Sequence, residues 1–451
     1  MKHFSSLLRS LAVIGRLGFV FAIAPSAWAL QAGVEIPPTD PSLAQFKPLP
    51  APAPTGLLLK TGDRLAICGD SITEQKMYSR IMETYLTACV PQLQVTVRQF
   101  GWSGETAEGF LRRMTNDCLR FHPTIATTCY GMNDHRYQPY DAGVAKWYLA
   151  NQEAIVRAFK AAGARVVLGS PGCVGKMPAW VKTANGTVED LNLNLCALRN
   201  ADLELARQEG VAFADVFWPM LTGGVAARQQ YAPDYAVAGK DGVHPDWAGQ
   251  LVMAYAFLKA LGLDGDLGTF TVDLSAGKAS ASDGHKVDRF QNGELTLTSS
   301  RYPFCAGGET NRDSSLRSGM TLVPFQADLN RLRLVVQGAP PAGCRVIWGK
   351  ESRDYSAAQL AQGVNLAADF PVNPFGEAFA KVDNAVLAKQ AYETRQIKTL
   401  FHGEEGHADM PATVALTERT RRPLAEAISA ALVPLTHTIR LEPLSAAAPA
   451  K

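Results

Sequence analysis

Ser71 lies at the end of an apolar run, in the stretch LAICGDSITEQ that covers residues 65–75. Two roles fit a serine at this position. It could cap the helix that follows, and Glu74, three residues later, would then complete a capping box. It could also be a nucleophile at the tip of a strand, provided that other parts of the chain supply a base, an orienting carboxylate and donors for an oxyanion.

A candidate base with its carboxylate occurs in KDGVHPDWAG, residues 240–249, where Asp241 precedes His244 by three positions. This spacing lets the carboxylate reach the imidazole within one turn, fix its tautomer and stabilise the imidazolium as it forms. Pro245 suits the first position of a helix that follows. The alternative is a structural surface histidine beside an ordinary Asp-Gly turn.

Candidate oxyanion donors occur in FGWSGET, residues 100–106, and in CYGMNDHRY, residues 129–137. Gly104 can bring its backbone N–H close to a substrate because no side chain intervenes. The side-chain amide of Asn133 and the backbone N–H of Ser71 are the other two candidates. The G-x-S-x-G elbow of α/β-hydrolases does not occur in the chain.

The elements that would position these residues alternate along the chain. Short apolar segments predict strands at 64–68, 93–100, 124–130, 164–170 and 211–217. Amphipathic periodicity predicts helices at 76–90, 105–120, 141–162, 187–209 and 245–261. This alternation predicts a parallel sheet covered on both faces, and ligands of such sheets bind at the carboxyl ends of the strands, where Ser71 would lie.

Together, the four segments resemble the SGNH hydrolase family, also called the GDSL-like esterases. The corresponding blocks are Gly69-Asp70-Ser71, the Gly104 of WSGET, the GMND of 131–134 and the DGVHP of 241–245, and their order and spacing match over about residues 60–263. Each block is weak evidence alone, whereas all four in order are a specific signal.

The resemblance implies a role for each residue. Ser71 would be the nucleophile, His244 the general base and Asp241 the carboxylate that orients it, with Gly104 and Asn133 completing an oxyanion hole with the Ser71 N–H. It also implies a flavodoxin-like three-layer α/β/α sandwich and acyl transfer through a serine ester. No metal or organic cofactor is implied.

The chain as a whole predicts four parts. Residues 1–29 have a charged start, an apolar run and an Ala-x-Ala ending, which predict a signal peptide and a secreted or periplasmic protein. Residues 30–59 form a proline-rich arm or linker, residues 60–264 the hydrolase domain, and residues 265–451 a β-rich module with helices. Beyond residue 29, no apolar run is long enough to predict a membrane span.

Charge and cysteine content narrow the possibilities further. The net charge is +2 and no basic block stands out, which argues against a nucleic-acid partner. Eight cysteines in an exported chain permit disulfides, and proximity suggests Cys173 with Cys196 and Cys305 with Cys344. Buried free thiols are the alternative for the cysteines in strand-like runs, Cys68 among them.

Three further features stay open to two interpretations. The HGEEGH stretch, residues 402–407, has metal-ligand residue types without a helical H-E-x-x-H spacing, so we expect a solvated loop there. His135 could line the pocket or lie at its rim. Trp102 could stack on a sugar or pack in the core.

The sequence thus predicts an exported serine esterase whose substrate is a small-molecule or polysaccharide ester, with acetyl groups on a carbohydrate as the favoured case. A lipase or short-chain lipid esterase is the first alternative. A non-catalytic glycan-binding surface protein, with the C-terminal module as binder, is the second. The sequence does not indicate an oligomeric state.

Overall fold

The computed structural model describes residues 40–445. The predicted signal peptide and the beginning of the proline-rich arm therefore lie outside the described residues. None of the helices in the described part of the chain is both long and apolar enough to cross a membrane. The domain boundary predicted at residue 264 falls between a helix that ends at Ala260 and a strand that begins at Asp266.

The first part of the chain alternates strands and helices. In chain order these are β1 (Arg64–Gly69), α1 (Ser71–Glu74), α2 (Tyr78–Ala88), β2 (Thr96–Gln99), α3 (Ala107–Asp117), β3 (Ile125–Cys129), α4 (Ala142–Ala161), β4 (Arg165–Gly169), α5 (Val188–Glu209), β5 (Ala212–Ala214), α6 (Phe217–Gln230) and α7 (Trp247–Ala260). The strands form a parallel sheet in the order β2-β1-β3-β4-β5. This order confirms the predicted flavodoxin-like fold, whose chain direction across the sheet reverses between β1 and β3.

Both faces of this sheet are covered, as the uninterrupted apolar strands predict. Leu65 and Ile67 of β1 join the hydrophobic cluster on one face, and Ala66 and Cys68 join the cluster on the other. All four side chains are almost completely buried. Because successive side chains of a strand point to opposite faces of the sheet, the strand contributes to two separate hydrophobic cores, one on each face, and a three-layer arrangement results.

Helix α6 was not predicted from the sequence. Its segment contains Gly223 and Gly224, and glycine lowers helix propensity. A Cβ atom at Gly224 would lie 2.5 Å from a side-chain carbon of Val237, so the glycine permits a close approach that a larger residue would block. Tertiary packing therefore overrides local preference in this helix.

The C-terminal module contains the remaining elements. They are β6 (Asp266–Asp273), β7 (Lys278–Ala281), β8 (His285–Gln291), β9 (Glu294–Ser299), α8 (Leu316–Leu322), α9 (Phe325–Asp328), β10 (Arg331–Gln337), β11 (Cys344–Trp348), β12 (Glu351–Tyr355), α10 (Ala357–Gln362), β13 (Val364–Asn365), α11 (Leu366–Asp369), α12 (Gly376–Arg395), α13 (Glu404–Ala408), α14 (Met410–Ala431) and β14 (Leu435–Pro443). Between α12 and α13, Gln396–Phe401 is π-helical. The strands form a mixed sheet, β13-β10-β6-β7, and an antiparallel sheet, β12-β11-β14-β9-β8.

This module confirms the prediction of strands with helices and differs from it in detail. The two short helices α10 and α11 are separated by β13. Part of the HGEEGH stretch is the helix α13, so the expectation of a loop was wrong there. Helix α14 was not predicted; it contains Pro423, a residue that disfavours helix interiors.

Helices α12 and α14 cover the open edge of strand β2. The carbonyl oxygen of Val97 accepts hydrogen bonds from Lys389 and, at 3.2 Å, from Arg421. The N–H of Gln99 donates to Glu393 at 3.2 Å. An uncovered edge strand would leave these backbone groups without partners, so the module completes the edge of the parallel sheet with the side chains of α12 and α14.

The proline-rich arm is well packed over its described part. Leu43, Phe46 and Leu59 are buried in the core of the α/β part. The N–H of Leu49 donates to the side chain of Asn200 on α5 at 2.9 Å. The arm thus lies along the surface of the α/β part.

All eight cysteines are free, so the pairs suggested by proximity are not formed. Cys173 lies in the loop after β4 and Cys196 lies within α5. Cys305 instead contacts the side-chain oxygen of Asn373 at 3.5 Å. Nearness along the sequence did not translate into a bonding geometry, and seven of the eight thiols are buried.

Candidate active site

Ser71 is the first residue of α1, directly after strand β1 and its cap. Asp70 is the N-cap, and its Oδ1 accepts the N–H of Ile72 at 2.9 Å. The capping role weighed for Ser71 therefore belongs to its neighbour, and the Ser71 hydroxyl is free for another partner. Burial raises the pKa of Asp70 to about 7 against the opposing effect of this N–H.

The partner of Ser71 is His244, although 173 positions separate them in the sequence. The distance from Ser71 Oγ to His244 Nε2 is 2.8 Å. On the other side of the imidazole, Nδ1 lies 2.7 Å from Oδ2 of Asp241. The structure therefore brings together all three residues of the predicted triad.

Asp241 is held by the backbone of its own loop. Its Oδ1 accepts the N–H groups of Val243 and His244, each at 2.9 Å. Burial opposes ionisation, but these N–H groups and the imidazole together lower the pKa of Asp241. The carboxylate thus stays ionised and can fix His244 with its proton on Nδ1, which leaves Nε2 as the acceptor that faces the serine.

Gly104 and Asn133 lie on the loops after β2 and β3, at the same end of the sheet as Ser71. Gly104 is exposed and has a φ of 75°, a conformation that glycine adopts without strain. The Asn133 Nδ2 donates to the carbonyl oxygen of Glu105 at 3.0 Å. Since an amide nitrogen carries two hydrogens, the second remains for a substrate oxygen.

Two residues that sequence reasoning did not assign hold this region in place. The Tyr137 hydroxyl donates to Asn133 Oδ1 at 3.2 Å. Asp134 accepts the N–H groups of Ala107 and Gly131, each at 2.9 Å, and so ties the second block to the third. Burial raises the pKa of Asp134 to about 6. The D of the GMND block was the available signal for Asp134.

The chain is strained just after the third block. Arg136 and Tyr137 have φ values of 54° and 55°, which non-glycine residues rarely adopt. His135, offered as a pocket or rim residue, is instead buried, and its Nδ1 lies 2.6 Å from the Met132 carbonyl oxygen. The strained backbone at Arg136 and Tyr137 persists because the surrounding contacts fix its conformation.

The two tryptophans near the site have different surroundings. Trp102 is partly buried, with its ring centroid 5.0 Å from the Arg113 guanidinium carbon and 5.0 Å from the His402 ring. Trp180, in the loop after β4, is 49% exposed and its ring centroid lies 5.7 Å from that of His244. Trp180, and not Trp102, therefore offers a free aromatic face beside the triad.

The HGEEGH stretch does not assemble a metal centre. Among the described residues, no group of three or more histidine, cysteine or acidic side chains is arranged to hold a metal ion. His402 instead contacts Oδ2 of Asp117 through its Nε2 at 2.8 Å.

Part of the chain is similar to a known family, and its fold is similar to a solved structure. Residues 67–252 match the GDSL-like Lipase/Acylhydrolase family. No curated protein matches the chain significantly. A gut microbial diltiazem-metabolizing enzyme of known structure is 21% identical; the match covers 87% of this chain and 100% of that one, with a TM-score of 0.68, so the two share a fold.

Two smaller structures match less of the chain. An acetylxylan esterase from Geobacillus stearothermophilus is 22% identical, and the match covers 46% of this chain and 97% of that one, with a TM-score of 0.36. An alpha/beta hydrolase enzyme from the metagenome of Lake Arreo, Spain, is 21% identical, and the match covers 46% of this chain and 98% of that one, with a TM-score of 0.37.

Proposed function

We propose that the protein is a carboxylic ester hydrolase that removes O-acyl groups from a carbohydrate through an acyl-enzyme on Ser71. The match of residues 67–252 to the GDSL-like Lipase/Acylhydrolase family supports ester hydrolysis. The observation that carries the catalytic part is the continuous contact from Ser71 through His244 to Asp241. It has the distances that proton transfer from a serine requires.

In the proposed reaction, His244 Nε2 takes the Ser71 hydroxyl proton as Oγ forms a bond to the ester carbonyl carbon. The carbonyl electron pair moves to the oxygen, where the N–H groups of Ser71, Gly104 and Asn133 would receive it. Collapse of this tetrahedral intermediate breaks the bond between the former carbonyl carbon and the alcohol oxygen, and the alcohol oxygen takes the proton from His244. Water, deprotonated by the same imidazole, then releases the acid and restores the serine.

The proposal for the alcohol part of the substrate rests on the surface around Ser71. Ser103 and Gly104 are exposed, so the approach to the site is open rather than enclosed. Trp180 and Tyr140, 49% and 55% exposed, offer aromatic faces at this end of the sheet. An apolar ring face with polar edges suits a sugar, which has apolar C–H faces and polar hydroxyls. The acetyl group is proposed from family analogy.

We also propose that the protein is exported. The support is the sequence of residues 1–29, with its charged start, apolar run and Ala-x-Ala ending. Because the described thiols are buried with one partial exception, the free cysteines are shielded in an oxidising compartment. Cell fractionation with N-terminal sequencing tests this: a mature chain that begins near residue 30 in the exported fraction supports export, and an uncut cytoplasmic chain contradicts it.

The test of the enzymatic function compares release of acid from aryl acetate, aryl octanoate and acetylated xylan. Wild type is measured beside Ser71→Ala and beside Ser352→Ala, an exposed serine on the distant strand β12. We expect acetate release from xylan by wild type and Ser352→Ala and none by Ser71→Ala, with unchanged thermal unfolding.

Each other outcome changes the assignment. Turnover retained by Ser71→Ala would remove the nucleophile assignment. Serine-dependent hydrolysis of the octanoate alone would make the protein a lipase. No hydrolysis of any ester, with binding of glycans by the intact protein, would favour the glycan-binding alternative.

A further inference from the structure

We infer that Lys398, a residue of the C-terminal module, positions the oxyanion loop of the esterase site through Glu74. The oxyanion loop is defined here as residues 101–105. The inference rests on the proposed catalytic role of Ser71 and Gly104. It assigns a catalytic contribution to the π-helical segment Gln396–Phe401, which lies outside the matched residues 67–252.

Lys398 forms a two-pronged ion pair with the last residue of α1. Its Nζ lies 2.9 Å and 2.8 Å from the two carboxylate oxygens of Glu74. The side chains are 28% and 21% exposed, so solvent screens the pair only in part. Lys398 lies within the π-helical segment, and such segments are frequent at functional sites.

Glu74 transmits this contact to the oxyanion loop. Its Oε2 accepts the backbone N–H of Ser103, the residue directly before Gly104. The backbones also meet, because a Cβ atom on Gly101 would lie 2.2 Å from the Glu74 nitrogen. Glu74 is therefore a shared support for the helix that begins at Ser71 and for the loop that carries Gly104.

The remaining members of the loop are held from other sides. Lys398 Nζ lies 5.2 Å from the Trp102 ring centroid, and the His402 ring packs edge-on against the same tryptophan. Arg113 donates to both carboxylate oxygens of Glu105, each at 2.6 Å. Gly104 has no such side-chain anchor, so its position depends on its two neighbours.

Charge gives the pair its importance for the reaction. The Glu74 carboxylate accepts the N–H of Ser103, which directly precedes the proposed oxyanion donor Gly104, where negative charge would develop during the reaction. Lys398 neutralises this carboxylate; without it, Glu74 would oppose the developing charge, and partial desolvation strengthens that opposition. Removal of Lys398 should therefore act on the transition state more than on substrate binding.

The test measures kcat and KM on aryl acetate, with thermal unfolding, for five variants beside wild type. We expect Lys398→Met to lower kcat roughly 10- to 100-fold with KM within about twofold of wild type. Lys398→Arg, which keeps the charge, should retain kcat within about threefold of wild type. Lys381→Met, which removes an exposed lysine of α12, should leave kcat unchanged.

The double variant Lys398→Met/Glu74→Gln makes the test specific. A glutamine still accepts the Ser103 N–H but carries no charge, so we expect the double variant to recover most of the kcat lost in Lys398→Met. A kcat within twofold of wild type in Lys398→Met overturns the inference, as does a double variant as slow as Lys398→Met. Ser71→Ala, the fifth variant, separates this failure from failure of the proposed function, since only the latter predicts turnover without the serine.

Discussion

Tyr137 donates its hydroxyl hydrogen to Oδ1 of Asn133 at 3.2 Å. An asparagine amide can be turned by half a rotation, and the donor on its oxygen decides which way it points. Burial raises the pKa of Tyr137, so its hydroxyl stays protonated and remains a hydrogen-bond donor to Asn133. Because Oδ1 is engaged, Nδ2 faces the Glu105 carbonyl and the proposed oxyanion position.

Replacement of this asparagine tests its role as a donor. We expect Asn133→Ala to lower kcat on the order of 100-fold or more, with little change in KM, because the lost hydrogen bond strengthens in the transition state. Tyr137→Phe should cost roughly three- to tenfold, as expected for a neutral hydrogen bond that only orients the amide. Steady-state kinetics on aryl acetate provide the measurement.

The control for the tyrosine is Tyr355→Phe, which removes a hydroxyl that donates to Asp369 at 2.7 Å in the C-terminal module. It should leave kcat on aryl acetate unchanged. If Asn133→Ala changes KM alone, the amide positions substrate and is not an oxyanion donor.

Trp180 gives a prediction about the alcohol part of the ester. We expect Trp180→Ala to raise KM for acetylated xylo-oligosaccharides roughly five- to tenfold, the contribution of one aromatic contact, while kcat/KM for aryl acetate stays within about twofold. Leu416→Ala, which removes an exposed side chain from α14, is the matched control and should change neither. Equal losses on both substrates would show that the tryptophan supports His244 rather than a sugar.

The buried charges at the β2 edge predict a large effect on stability. Lys389 Nζ lies 2.8 Å from Glu83 and 3.1 Å from Glu393, and it also donates to the Val97 carbonyl. Burial opposes the charge on Glu393, but Lys389 and then Arg421 lower its pKa, whereas desolvation dominates at Glu83 and raises its pKa. Lys389 thus offsets the negative charge of a buried carboxylate on α2 and of another on its own helix, α12.

We therefore expect Lys389→Met to lower the free energy of unfolding by about 3–5 kcal/mol, the usual consequence of removing one partner of a buried ion pair. Lys381→Met, on the exposed face of the same helix, should change it by less than about 0.5 kcal/mol. Urea unfolding at pH 7 measures both. Similar stabilities for the two variants would mean that the buried carboxylates do not depend on Lys389.

The proposed catalytic residues could be predicted from the sequence because each belongs to a short block that follows a strand or precedes a helix. The strands of the α/β part and all of its longer helices except α6 were also predictable, since a buried parallel strand is a short apolar run. The residue types alone left other roles open for Ser71 and His244, and the triad of Ser71, His244 and Asp241 was predicted because the four blocks in order resemble the SGNH hydrolase family.

Residues that approach the site through long-range packing could not be predicted in this way. Trp180 lies on a loop without periodicity, and Lys398 lies in a segment more than 300 positions from Glu74. The same limit applies to Cys173 and Cys196, whose spacing suggested a bond that the fold does not make. Such contacts form only when distant segments of the chain pack together, so distance along the sequence does not predict them.

Two histidines in the C-terminal module form a directed chain of hydrogen bonds. The Trp348 indole can only donate, so at 3.2 Å it requires a bare Nδ1 on His437. Nε2 of His437 therefore carries the hydrogen and donates to Ser299 at 3.0 Å, which donates in turn to His285 Nδ1 at 2.8 Å. The chain ends where His285 Nε2 donates to the Leu267 carbonyl at 2.8 Å.

This chain predicts how stability depends on pH. A second proton on His437 would face the Trp348 N–H, and burial lowers the pKa of His437 from 6.5 to about 3. Between pH 6.5 and about 3 the unfolded chain binds this proton and the folded chain does not. The contribution of His437 to the free energy of unfolding is therefore fully present above pH 6.5 and is lost as the pH falls towards about 3. Each such group contributes a slope of about 1.4 kcal/mol per pH unit.

Between pH 6.5 and 4 we expect the free energy of unfolding to fall more steeply with falling pH in wild type than in His437→Gln. The difference between the two slopes should correspond to about one bound proton. Glutamine can accept from Trp348 and donate to Ser299, so the variant keeps the hydrogen bonds but cannot titrate. His407→Gln, at an exposed histidine of α13, should follow the wild-type curve. Urea unfolding at four pH values measures the slopes, and parallel curves for wild type and His437→Gln would mean that His437 already accepts its proton in the folded protein.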